Sequence, residues 1–249
     1  MKAIGIIGYH HTGKTTLATL LISALSGKGF EVASIKDIHS EKYRADKEGS
    51  NSWKHAQAGA NQVFARGLKD GALILTPSPD LRQILGLIRA DWLVIEGLRD
   101  AAVPKIVCAD SLAQADELFD PTVIAYSGKI SGQTDSHNGL PVLSALSKGE
   151  ELLSLVLAKA FPILPQSDPD CCSACGRNCY QLAGEILQGL AKREDCVLDG
   201  KSDLILEVGG SAVTIVPFVQ KLLRDSVLAF VDNLKDIPPT GDISIKVRR

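Results

Sequence analysis

The stretch GYHHTGKTTL, residues 8–17, follows the apolar run AIGII (3–7) and opens KTTLATLLISALSG (14–27). Gly8, Gly13, Lys14 and Thr15 satisfy the pattern G-x-x-x-x-G-K-S/T. A loop that wraps a phosphate with its backbone N–H groups must keep side chains out of the way, which explains the glycines. The helix starting at Lys14 aims its positive dipole end at the anion. Lys14 then reaches the β- and γ-phosphates, and the Thr15 hydroxyl is placed to ligate Mg²⁺. His11, Thr12 and Thr16 complete the expected nucleotide-binding set. His10 and His11 occupy variable loop positions and read as solvent-facing residues, with a substrate or effector role as the alternative.

Outward from the loop, strand and helix patterns alternate. FEVASIK (30–36), NQVFARG (61–67), ALILT (72–76), DWLVIEG (91–97), PKIVCAD (104–110) and PTVIAYS (121–127) read as strands. A short helix over SWKHAQAGA and another after Pro79 lie between them. The alternation predicts an α/β fold of the P-loop NTPase type, a doubly wound, mostly parallel sheet covered on both faces. Ligands in such sheets bind at the carboxyl ends of the strands. Glu96, closing the run DWLVIEG, is therefore the expected acid that holds Mg²⁺ directly or through water, and Asp91 a residue that starts the strand. Lys14 and Glu96 are the residues expected to carry any chemistry. The motif specifies a nucleoside triphosphate but not the base, because no N-K-x-D sequence follows a strand.

The 249 residues carry a formal net charge of −2, with 45% hydrophobic and 22% charged residues. That composition is ordinary for a soluble globular protein and carries no broad nucleic-acid footprint. The most apolar stretch, LLSLVLAKAFPIL (152–164), is interrupted by Ser154, Lys159 and Pro162, so no membrane span is expected. The N-terminus lacks a signal-peptide pattern, and the expected location is the cytoplasm.

FPILPQSDPD (161–170) reads as a linker. It divides an expected nucleotide domain, residues 1–162, from a small Cys-rich α+β domain, 163–249. Five of the six cysteines fall in this second part. The order Cys172-x2-Cys175-x3-Cys179-x16-Cys196 brings a fourth thiolate back after a helix at about 180–192. In a reducing compartment, clustered cysteines more often hold metal than form disulfides. A compact triple with one distant cysteine suits a [4Fe-4S] cluster, with structural Zn²⁺ as the alternative. Cys171 competes with Cys172 as the ligand. Cys108 reads as a buried small hydrophobe. A hairpin DLILEVGGSAVTIV, a helix over about 217–234 and a strand DISIKV are expected to close the chain.

Several segments together resemble the MobB family, P-loop proteins of molybdopterin guanine dinucleotide biosynthesis. They are GYHHTGKTTL, VASIKDIH (32–39), DKEGSNSWKHAQAGA (46–60) and LVIEGLRDAAVPKI (93–106). The resemblance implies a homodimer that binds GTP with Mg²⁺, hydrolyses it weakly, and assists a guanylyltransferase partner, MobA. It extends the phosphate-loop role to Gly8, Gly13, Lys14, Thr15 and Thr16 and the magnesium-binding role to Glu96. Lys36, His39 and Asp46 match a further loop of substrate or switch type. This chain departs from that pattern where the family has K-H-x-H and G-K-D-S/T, which here read KDIH and GSNS, so Asp37 replaces a histidine and Asn51 an aspartate. An amide in place of a carboxylate keeps the shape and loses the charge, which weakens activation of a metal or water there. A molybdenum or tungsten enzyme is the alternative partner to MobA, and two other readings stay open at this point: a nucleotide-dependent metallochaperone or iron–sulfur/metal insertion protein, and a nucleotide-binding module with an inactive catalytic loop.

Overall fold

A short strand at the centre of the sheet, buried except at its two end residues, carries the phosphate loop. In the computed structural model this is β1 (Lys2–Gly8), and it leads through the loop into α1 (Lys14–Gly27). The structure describes residues 1–166, 175–196, 198, 204, 206–208, 211–213, 215, 217–234 and 243–245. After α1 come β2 (Val32–Lys36), α2 (Asn51–Gln57), β3 (Gln62–Arg66), β4 (Gly71–Leu75) and α3 (Leu81–Leu87). β5 (Trp92–Glu96), β6 (Lys105–Cys108), α4 (Leu112–Glu117) and β7 (Val123–Ser127) follow. Two-residue strands β8 (Ser136–His137) and β9 (Leu140–Pro141) precede α5 (Gly149–Lys159) and α6 (Cys179–Leu187). β10 (Leu206–Val208), β11 (Ser211–Val213) and α7 (Pro217–Val231) complete the described elements.

The main sheet has the order β2-β5-β1-β6-β7, and every pairing in it is parallel. Residues 3–7 of β1 and all of β5, β6 and β7 are buried, as expected for strands covered on both faces. On one face α1 and α5 pack Leu17, Leu21, Leu25, Leu152, Leu153 and Val156 against Ile4, Ile6, Val94 and Ile106. Each such fully buried aliphatic side chain contributes roughly 1.5–3 kcal/mol of transfer free energy. On the other face α3 supplies Leu81 and Leu85 against Leu93 and Ile95, and α4 supplies Ala115 beneath Ile7 and Val107.

Three features differ from the sequence expectation. β3 and β4 do not join the main sheet but form an antiparallel hairpin of their own, because a four-residue turn (Gly67 to Asp70) folds them back on each other. The stretch containing 152–159, read only as too polar for a membrane, is helix α5, whose buried Leu152, Leu153 and Val156 recur at helical spacing. Ile243–Ile245, inside the expected last strand, pair with no strand among the described residues, and the other residues of that segment lie outside the described residues.

The chain divides into two compact units, Met1–Cys196 and Val197–Arg249. The break falls later than the expected boundary at 162, because the stretch 175–196 is built into the first unit. Leu182 and Ala183 of α6 are buried, and Gly184 lies so close to Pro121 that an added Cβ would stand 2.8 Å from the Pro121 Cβ. Tyr180 Oη accepts a hydrogen bond of 2.7 Å from the fully buried Lys105 ammonium, which also lies 4.2 Å from the Tyr180 ring centroid. Arg193 donates to the carbonyls of Pro162 and Ile163, tying the end of the stretch to the supposed linker.

Candidate nucleotide-binding site

Glycine geometry shapes the loop after β1. Gly8 has φ 152°, and a Cβ there would run into the Cys108 carbonyl of β6 and lie 2.7 Å from Thr12 Oγ1. Gly13 caps α1 with φ 95°, a left-handed conformation that side chains disfavour. No side chain caps the helix, so the first-turn N–H groups open into the loop, the arrangement that binds phosphate. Buried Thr12 braces the loop by donating to the Tyr9 carbonyl at 2.9 Å. Lys14 Nζ donates to the same carbonyl from within the loop. The strand β7 supports the loop from the side: Gly128, φ 91°, has no room for a Cβ between Ala109 O and Thr12 O, each 2.7 Å away. His10, His11 and Thr16 are exposed.

At the carboxyl edge of the sheet, Thr15 and Glu96 meet. Thr15 Oγ1 donates to Glu96 Oε1 at 2.8 Å. Lys36, ending β2, places its ammonium 2.8 Å from Glu96 Oε1 and 3.3 Å from Thr15 Oγ1. Burial raises the Glu96 carboxyl, but hydrogen bonds from Lys36 and Thr15 and the charges of Lys36 and Lys14 outweigh it, so its pKa lies below the ordinary value. A hydroxyl and an ionised carboxylate at one point are a hard-oxygen donor set for Mg²⁺. The Lys36 ammonium touches both oxygens. The Asp91 carboxylate instead accepts from the Glu31 amide at 2.9 Å, a structural role at the start of β5.

The other expected loop residues lie apart from this centre. His39 Nε2 stands 2.8 Å from Asp37 Oδ2, so the departure at Asp37 provides a partner for the histidine. Asp46 accepts from Ser50 Oγ at 3.0 Å and from the Lys47 amide at 2.7 Å; the hydrogen bond from Ser52, the largest influence, together with these two outweighs burial and holds its pKa below the ordinary value. Ser50 caps α2 through the Trp53 amide. Asn51 opens α2 and lines a groove of about 580 Å³ with His55, Phe64, Arg66 and Asp70, between the helix and the β3–β4 hairpin.

Sequence reasoning missed the parts of the frame that have no motif. Tyr9 donates its hydroxyl to Glu117 and lies under the Arg99 guanidinium, 5.1 Å from its ring centroid; the Glu117 hydrogen bond is the largest influence raising the Tyr9 pKa. Lys129, just after β7, pairs with Asp110 at 2.9 Å.

Of the cysteine set, Cys175, Cys179 and Cys196 are placed, while Cys171 and Cys172 lie outside the described residues. Cys179 is the first residue of α6, with Asn178 capping it through a reciprocal pair with Gln181. Cys196 is buried. Among the described residues, no group of three or more His, Cys, Asp or Glu side chains is arranged to hold a metal ion. Cys108 lies in β6, and burial pushes its thiol up to about 12, in keeping with a packing role. Among the described residues, no helix is long and apolar enough to cross a membrane.

The parallel sheet, the glycine loop and the Thr15–Glu96 pair define an α/β protein of the P-loop nucleotide-binding class. The chain belongs to the MobB family: the profile described as Molybdopterin guanine dinucleotide synthesis protein B matches residues 3–128. A Methanocaldococcus jannaschii protein provisionally named a molybdopterin-guanine dinucleotide biosynthesis adapter protein is 27% identical over 258 residues, spanning 100% of this chain and 99% of its own length. The Haemophilus influenzae protein named molybdopterin-guanine dinucleotide biosynthesis adapter protein is 35% identical over 109 residues, 42% of this chain and 61% of that protein. The crystal structure of Bacillus subtilis MobB shares the fold with a TM-score of 0.55 at 24% identity, covering 64% of this chain and 97% of that one.

Proposed function

We propose that this protein is a GTP-binding adapter in molybdopterin guanine dinucleotide biosynthesis. The observation that carries the reading is the Thr15–Glu96 pair, 2.8 Å apart, at the mouth of a glycine loop on a chain of the MobB family. Lys14 and the loop amides would take the triphosphate, and Thr15 and Glu96 would hold Mg²⁺. The ion would supply neutralisation of the triphosphate's charge. The resemblance to the family implies a histidine at the place of Asp37 and an aspartate at that of Asn51, and these departures support weak hydrolysis or none. The protein would work in the cytoplasm as a homodimer, presenting nucleotide to a MobA-like guanylyltransferase. The test is binding of fluorescent GTP and ATP analogues to the full chain with and without Mg²⁺, followed by co-sedimentation with a guanylyltransferase. GTP preferred over ATP, dependent on Mg²⁺, with a stable complex, is the expected result. Equal binding of both nucleotides without complex formation would overturn it.

A second reading concerns the cysteine stretch. The sequence spacing of Cys175, Cys179 and Cys196, with Cys172 or Cys171, supports a thiolate site for a [4Fe-4S] cluster or Zn²⁺. The M. jannaschii relative matches this chain over its full length, so that protein too extends through the corresponding region. Iron, zinc and acid-labile sulfide analysis after anaerobic purification decides it. About four irons and four sulfides per chain favour the cluster, and one zinc favours a structural ion. Metal-free protein of full stability would overturn both.

A further inference from the structure

A second cavity opens at the carboxyl edge of the sheet, and none of its lining residues belongs to the phosphate loop. Its volume is about 990 Å³, large enough for a complete small molecule. Three segments form it: the residue after β2, the start of α3, and the chain from Leu98 to Ala102. The N-terminal residues of α6, including Cys179 and Tyr180, close it. Asp37 follows Lys36 in the chain, and Leu98 and Arg99 follow Glu96 and Gly97, so this wall continues directly from the cation site. Arg99 also lies over the ring of Tyr9 inside the phosphate loop.

The walls are held in place. Gln166 grips Ala102 from both sides, accepting from its amide at 2.8 Å and donating to its carbonyl at 3.2 Å. The Lys105–Tyr180 hydrogen bond anchors the helix end that carries Cys179. The lining divides by chemistry. Ile35, Leu81, Ile84 and Leu98 give an apolar wall, Arg82 and Arg99 are cations, and Asp37 and Asp100 are anions. No ion pair joins the Arg82 guanidinium to the Asp100 carboxylate among the described residues, and each lacks a hydrogen-bonding side-chain partner there. The Arg82 guanidinium, unpaired, and that of Arg99, stacked on Tyr9, both line the cavity, and a guanidinium matches a phosphate through its fork geometry. Carboxylates accept hydrogen bonds from the ring N–H and amino groups of a heterocycle, as they do from a base edge. The apolar wall covers the face of such a ring.

The geometry points to a second ligand site beside the nucleotide, for a phosphorylated, donor-rich planar heterocycle of the pterin class. This assignment rests on the adapter reading above and adds to it: the same chain holds both the nucleotide and the molecule to which the nucleotide is to be joined. Arg82 and Arg99 take its phosphate, and Asp37 and Asp100 take the amino-bearing edge of the ring.

The test uses the full chain loaded with Mg²⁺ and a non-hydrolysable GTP analogue, titrated with neopterin monophosphate by pterin fluorescence polarisation. Neopterin without phosphate and inorganic phosphate serve as the comparison probes. Saturable binding of neopterin monophosphate, about tenfold tighter than either comparison probe, is expected. Arg82→Ala and Asp100→Asn, both at exposed positions, should each weaken it about tenfold while leaving the affinity for the GTP analogue unchanged. Absence of saturable binding up to millimolar probe in a chain that binds GTP would overturn the site, as would binding unaffected by both substitutions. Loss of the pterin arm alone and loss of the GTP arm alone are separate results: the first overturns this site, and the second overturns the nucleotide reading while supporting the cavity.

Discussion

Lys36 and Glu96 are register partners at the last residues of the parallel strands β2 and β5, and their charged atoms meet at 2.8 Å. Parallel pairing in register places both side chains on the same face at the same height, so the cation and the acid meet at the sheet edge. Thr15, arriving from α1, then needs only its hydroxyl to complete the trio.

Glu96→Gln should therefore abolish the Mg²⁺ dependence of nucleotide binding and weaken it about tenfold or more, measured by titrating fluorescent GTP at fixed Mg²⁺. The same substitution tests acid stability. A carboxylate whose folded pKa is depressed contributes stability that is present above its unfolded value and lost as pH falls through the folded one. Wild type should lose unfolding free energy below about pH 4.5, and Glu96→Gln should lose less over that window, in urea denaturation at stepped pH.

Lys36→Met removes the ammonium that touches both Thr15 Oγ1 and Glu96 Oε1. Half-saturation by Mg²⁺ should then move to a severalfold lower concentration, because no resident cation competes for the carboxylate. An unchanged or higher midpoint in a magnesium titration at fixed GTP analogue would mean that Lys36 serves the phosphates instead.

Gly8→Ala is expected to be among the most damaging substitutions in the chain. The new Cβ meets the Cys108 carbonyl and stands 2.7 Å from Thr12 Oγ1, at a backbone φ of 152°. Backbone strain together with displacement of β6 costs on the order of 3 kcal/mol or more. A large drop in the urea midpoint, with loss of nucleotide binding in whatever folds, is the outcome to look for. Gly27→Ala, where an added Cβ meets nothing within 4 Å, is the control.

Tyr180→Phe leaves the buried Lys105 ammonium without its nearest partner; the remaining contact to Asp120 is 3.5 Å long. The loss should be about 1–3 kcal/mol in chemical denaturation. Because burial already lowers the Lys105 pKa, the penalty should shrink as pH rises and the lysine loses its proton.

Cys108 should resist thiol reagents in the native state and react only on unfolding, since burial pushes it up to about 12 from 9.0. For a raised folded pKa the stability contribution is full below the unfolded value and is lost as pH rises. Wild type minus Cys108→Ala should therefore show a stability difference that falls from about pH 9 towards 12.

Much of the site could be read in the sequence because it is local. The eight residues from Gly8 to Thr15 are contiguous, and their glycines, lysine and hydroxyl each answer a requirement of phosphate binding that no distant contact alters. Glu96 was legible for a related reason: an acid closing a buried apolar run must emerge at the carboxyl edge of a parallel sheet. Strand and helix spacing likewise announced the α/β fold. Tertiary structure decided what depends on partners far apart in the chain. Lys36 met Glu96 and Thr15 through the register between β2 and β5. The β3–β4 hairpin left the main sheet, since an apolar run of five residues does not say with which strand it will pair. The boundary moved from 162 to 196 because Lys105 and Pro121 offer α6 a docking place, and nothing near Tyr180 in sequence announces them. Local backbone requirements are written in neighbouring residues, whereas docking and register are settled by the burial of surfaces that meet only when the chain folds.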